Sequence, residues 1–193
     1  MSQRDRDHLT TKFNCVYYLL KRERPFVDYP ELLRLHLKNK GPDIGESYRN
    51  DRAAADFSQI IANTYHQELV ENMTKARYYS ILNDSSSDTS ITEKELVYVL
   101  FLEDGTPRIK YASIEDVKNA NSEGILDCIK ESFHRLGITD IYKKIVGLNV
   151  DGASVNTGEF NGLGAKMKAM APWLEVIHCF NHRLELALKY SFM

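Results

Sequence analysis

Two aspartates have the residue type and the placement that phosphoryl-transfer chemistry needs. Asp84 is expected at the end of a first strand, and Asp151 at the end of a fourth. Ligands of open α/β sheets gather at the carboxyl ends of the strands. If those two strands are neighbours, the carboxylates lie about 4–5 Å apart. Two bare charges at that spacing repel by about 4 kcal/mol at an effective dielectric near 20. Protonation of one of them, or a divalent cation between them, relieves the repulsion. Mg²⁺ takes hard oxygen ligands, so an Asp–Asp pair is a half-site for metal-assisted phosphoryl transfer. A plain structural reading stands beside this one, because Asp is common wherever a strand gives way to a turn. Asp88 is a rival to Asp84, although it falls in the Ser-rich loop that follows and is less rigidly placed.

The second constellation is His178-Cys179-Phe180-Asn181-His182-Arg183. Cys179 and His182 are three residues apart, which predicts one shared face of the last helix. Alone they amount to half of a tetrahedral zinc site. Outside this segment the sequence has no CxxC or HxxxH partner to complete it, and Cys15 and Cys128 are isolated. The alternative is a packed Cys and a hydrogen-bonded His, and no zinc is expected.

The elements that must position these residues follow from the pattern of apolar residues. A mixed apolar and basic stretch over 9–22 predicts a first helix. Asp28 and Pro30 predict the start of a second, which Gly41-Pro42 stops. Phe57, Ile61, Tyr65, Leu69 and Met73 recur every fourth residue and predict a long helix over 51–76. The period then changes. Tyr79 to Leu82, ending at Asp84, Leu96 to Leu102, and 108–114 predict three strands in a meander, with Asp104-Gly105 as a tight turn.

A helix over about 119–136 shows Ile125, Ile129, Phe133 and Leu136 on one face, with Gly137 as its stop. Residues 145–150 form a near-continuous apolar strand, as expected when both faces of a sheet are covered. A helix over 159–170, a strand over 174–177 and a helix over 178–190 complete the order β-β-β-α-β-α-β-α. That order predicts a mixed α/β sheet with helices on both faces. The domains expected are an N-terminal helical region over 1–76 and a sheet core over 77–193.

Composition limits the choice of function. The 193 residues are 43% hydrophobic and 27% charged, in the range of ordinary globular proteins. There is no apolar run near 18 residues and so no membrane partner is expected. The charged start and the three scattered cysteines point to an intracellular, reducing setting. A net charge of -2 gives no global signal for nucleic acid, so any DNA contact depends on a local patch. Lys166, Lys168, Arg183 and Lys189 could form one near Asp151, or simply a solvated helix face.

Read together, three segments resemble the hAT transposase superfamily: 80–90 (SILNDSSSDTS), 146–158 (VGLNVDGASVNTG) and 178–187 (HCFNHRLELA). The likeness is greatest to domesticated vertebrate members, several of which are called zinc-finger proteins. It implies an RNase H-like fold with an Asp-Asp-Glu triad that binds two divalent metals, and a nuclear location. Asp84 matches the first Asp and Asp151 the second. Cys179 and His182 match a Cys-x-x-His motif that, with the neighbouring Arg183, helps to position DNA. The family's third carboxylate follows a large helical insertion, and neither Glu175 nor Glu185 occupies its place. The resemblance therefore implies an incomplete core with Mg²⁺ held weakly. The expected function is a non-catalytic module that associates with DNA or with other proteins, itself included. The alternative is a fragment of an active metal-dependent transposase or nuclease.

Overall fold

The computed structural model describes residues 1–87 and 93–191. Seven helices are formed among them: α1 (Gln3–Lys21), α2 (Tyr29–Lys38), α3 (Asp51–Lys75), α4 (Ser122–Arg135), α5 (Ser154–Thr157), α6 (Leu163–Met170) and α7 (Phe180–Ser191). The strands are β1 (Tyr79–Ser87), β2 (Glu93–Glu103), β3 (Thr106–Asp116), β4 (Ile145–Val150) and β5 (Glu175–His178). They form one mixed sheet in the order β3-β2-β1-β4-β5. The β1–β2 and β2–β3 pairs are antiparallel, and β1–β4 and β4–β5 are parallel. No helix of the described residues is long and apolar enough to cross a membrane.

The chain divides into two compact units, Met1–Gln67 and Glu68–Met193. The boundary lies inside α3, whereas the division read from the sequence fell at its end, at residue 76. The expected apolar stripe is shared between two cores along the length of the helix. Phe57 is buried in the first unit's core beside Val16, Leu33 and Ile44. Leu69 and Met73 are buried in the second unit's core. Tyr65, between them on the expected stripe, is exposed.

In the first unit, α1 begins six residues earlier than its apolar residues suggest. The reason is a capping box: the Asp5 N–H donates to Ser2 Oγ (3.2 Å) and the Ser2 N–H to Asp5 Oδ2 (3.1 Å). Asp28 does not use its side chain as a cap for α2, as the sequence suggested. It instead accepts from Arg24 Nε at 2.9 Å.

In the second unit, α4 is the main cover of the sheet. Its Ile125, Ile129, Phe133 and Leu136 are all buried, as their spacing predicts. Asn121 caps its start by accepting from the Gly124 N–H at 2.9 Å. At its end Gly137 takes φ +72°, with the Gly137 N–H donating to His134 O and the Ile138 N–H to Phe133 O. That Schellman arrangement needs a left-handed residue, which glycine supplies without strain. The hairpin between β2 and β3 works similarly, with Asp104 at φ 50° and Gly105 at φ 76°.

The core face of the sheet carries Tyr79, Ile81, Val97, Val99, Phe101, Leu148 and Val150, all nearly or fully buried. Burying such a side chain stabilises by roughly 1.5–3 kcal/mol. The opposite face is not covered in the same way, contrary to the expectation of helices on both sides. Leu102, Ile109, Tyr111 and Ile177 stay exposed there, and α7 has no buried residue. The helix expected over 159–170 forms only as α6, from Leu163; the short α5, which the sequence pattern did not mark, precedes it, and the turn between them has the Gly162 N–H donating to Gly158 O.

One end of the core face is polar. Ser85, Glu95 and Glu115 stand in a row across β1, β2 and β3. Glu95 is fully buried and accepts from Ser85 Oγ (2.9 Å) and from the Asn83 amide. Glu115 is buried beside it, with Arg135 Nη2 at 2.9 Å. Burial pushes the Glu95 carboxyl up from 4.5 to about 7, against the pull of its two hydrogen bonds.

The sign of the consequence is set by which state keeps the proton. Between about pH 4.5 and 7 the folded protein retains a proton that the unfolded chain has lost, so stability falls as pH rises through that window. The loss is on the order of 2–3 kcal/mol. The Glu95→Gln variant should lack this slope and be the more stable protein at pH 8. Urea unfolding at pH 5 and pH 8 checks it; a wild-type slope retained in the variant would refute the assignment.

Candidate functional site

β4 positions Asp151. Its Ile145, Leu148 and Val150 are buried, which fixes the strand between β1 and β5 and leaves Asp151 as the first residue beyond it. Gly147 lets β1 approach closely, since a Cβ there would come within 2.6 Å of Ser80 Oγ. The Asp151 carboxylate is then shaped by its own turn. Oδ1 accepts from the Ala153 N–H at 2.9 Å and from Asn156 Nδ2 at 2.7 Å. No hydrogen bond to Oδ2 occurs among the described residues. Asn156 is only 3% exposed, so this amide is a rigid donor. Its sequence signal lay within the 146–158 segment, but spacing alone did not reveal that it grips Asp151.

β1 positions Asp84 differently from expectation. The strand does not end there; it runs on to Ser87, paired with β2, and Asp84 faces Leu96. Toward β4, however, the pairing stops at Leu82 opposite Asn149. Two further steps along each strand reach Asp84 and Asp151. Continued past that last pair, the register sets the two residues at the same level of adjacent strands. Asp84 is exposed while its neighbour Asn83 is buried, which turns the carboxylate away from the face under α4. Asp88, the rival, lies outside the described residues.

The third group is at the end of β5. His178 is the last residue of that strand and pairs with Val150, so it is not part of the helix expected over 178–190. Cys179 precedes α7, its N–H donating to Val150 O at 2.7 Å and its carbonyl accepting from the Arg183 N–H at 3.1 Å. It is therefore a helix-entry residue, not a helical neighbour of His182. Cys179 and His182 are half-buried and Arg183 is exposed. The His182 ring lies 6.1 Å from that of His178. Of the lysines suggested for a basic patch, Lys166 is ion-paired with Glu123.

The arrangement brings Asp84, Asp151 and the Cys179 turn to the carboxyl end of the parallel strands β1, β4 and β5. Among the described residues no group of three or more His, Cys, Asp or Glu side chains is placed to hold a metal ion. Residues 45–162 match the family model described as the ZMYM1/FAM200 RNase-like domain. The matched span contains Asp84, Asp151 and Asn156.

Asn156→Asp tests the grip on Asp151. It replaces a buried donor 2.7 Å from Oδ1 by a second carboxylate beside the half-buried first. The repulsion raises the pair's protonation range, so the variant should lose on the order of 2 kcal/mol at pH 7 and regain part of it near pH 4.5. Thermal melts at both values read this out, and an unchanged melt at pH 7 would show that Asn156 does not hold Asp151.

Proposed function

Because this chain belongs to the ZMYM1/FAM200 RNase-like domain family, we propose that it is a transposase-derived module, of hAT ancestry, that binds a divalent cation weakly and does not cut DNA by itself. The observation that supports this is the alignment of Asp84 with Asp151 on adjacent parallel strands, with Asp151 already oriented by Asn156 and Ala153. Such a pair suits Mg²⁺, which prefers hard oxygens and keeps several waters when few protein ligands are offered. The chemistry a cation supplies at such a pair is polarisation of a phosphoryl oxygen and activation of a bound water.

The protein's own contribution is positional. Asn156 and the Ala153 N–H occupy one oxygen of Asp151 and leave the other for a ligand. Arg183, exposed at the first turn of α7, is suited to a phosphate contact, which gives position without reading sequence. Cys179 fixes that turn against β4. In this reading DNA is the partner, with other proteins or a second copy of the chain as further partners, and the nucleus is the site of action. Two carboxylates hold a cation too loosely for phosphoryl transfer, where catalysis rests on fixed metals and fixed substrate.

Purified chain incubated with Mg²⁺ or Mn²⁺ and single- or double-stranded DNA should show no cleavage above background. Mn²⁺ titration followed by electron paramagnetic resonance should show weak binding that Asp84→Asn and Asp151→Asn each reduce at least tenfold. Cleavage that vanishes in both variants would establish an active nuclease instead, and Mn²⁺ binding indifferent to both would remove the metal site.

A further inference from the structure

The turn that carries Asp151 is clamped from β5. A Cβ added at Gly152 would come within 2.3 Å of His178 Cε1 and 2.4 Å of Nε2, so the imidazole edge occupies the space where a side chain would stand. His178 Nε2 is sealed from water and has no hydrogen-bond partner among the described residues. Buried polar atoms are nearly always paired, so this nitrogen is kept here at a cost to stability. The backbone makes the clamp two-sided. Val150 pairs with His178, and the Cys179 N–H closes on Val150 O at 2.7 Å, directly before Asp151.

We infer that His178 is a positioning residue for Asp151, acting through Gly152 and not by touching a ligand. The ring blocks the Asp151–Ala153 turn from collapsing toward β5. The turn in turn keeps the Ala153 N–H on Asp151 Oδ1 at 2.9 Å. A side chain at 152 meets the ring and must displace it or the turn, and a smaller residue at 178 leaves that space open. The inference rests on the proposed cation site for what the held carboxylate does, while the clamp itself is independent of it.

The test uses the full chain in five forms: wild type, His178→Ala, His178→Phe, Gly152→Ala and the double variant His178→Ala/Gly152→Ala. Three quantities are read: Mn²⁺ affinity, the exchange rate of the Ala153 amide, and the melting temperature. In His178→Ala and in Gly152→Ala, affinity should fall about tenfold, the scale typical of groups that orient a metal ligand. Ala153 exchange should speed up by a similar factor, and melting should shift only slightly. His178→Phe should restore both, and the double variant should recover part of each loss because the new methyl fills the space the ring vacated. Ala153 exchange unchanged in both single variants, or changing only in step with the melting temperature, would overturn the clamp. If wild-type Mn²⁺ binding is absent or survives Asp151→Asn, the cation reading fails, and Ala153 exchange alone decides the clamp. Should His178→Ala not fold, Gly152→Ala and His178→Phe carry the same comparison from the other side.

Discussion

The parallel pairing of β1 with β4 is the constraint on which the rest depends. It joins a meander to a βαβ-like segment, and it sets Leu82 opposite Asn149. A parallel pair needs its connection to leave the sheet and return, and here α4 makes that passage across the core face. The same pairing brings Asp84 to the level of Asp151. A slip of one residue would turn every β4 side chain to the other face, exposing Leu148 and Val150. Their full burial therefore holds the register that the acidic pair requires.

The sheet is asymmetric in what it buries. Under α4, α6 and the last turns of α3 it has a dense apolar core, with Tyr79 stacked on Phe133 at 5.3 Å and its hydroxyl bonded to Ile141 O at 2.8 Å. That core gives way to polar groups at one end, where Asn83, Ser85, Glu95 and Glu115 meet. A buried carboxyl so far from bulk water is tolerated because its oxygens find donors and because it can keep its proton. Asn83 and Asp84 are neighbours in sequence, yet one serves this buried network and the other the exposed edge. Strand alternation alone separates the two roles.

The candidate site is held by short polar contacts over a rigid frame. Asp151 is fixed by its own turn and by the Asn156 amide, the His178 ring stands behind that turn at Gly152, and none of these contacts the aspartate's free oxygen. Asp84 gains its place from the ladder with β2, which continues past it to Ser87. Both carboxylates are thus placed by backbone pairing first and by side-chain contacts second.

Much of this architecture was legible without coordinates, because local pattern encodes burial along a single element. The limits of β4 at 145 and 150, the apolar face of α4, its glycine stop at Gly137 and the Asp104-Gly105 turn all follow from periodicity and turn chemistry. Other features lay beyond such reading. Periodicity says that a strand is buried, not which strand lies beside it, so the placement of Asp84 and Asp151 on adjacent strands depended on the sheet order. The exposure of Leu102 and Ile109 on the outer face likewise emerged only in three dimensions, since they have the same apolar character as buried residues. Asn156 and His178 were visible as letters within quoted segments, but their contacts with Asp151 and Gly152 depend on a turn folding back and on two strands ending together. Such contacts arise between residues that the chain brings together only after the sheet has formed, and no spacing along the sequence records them.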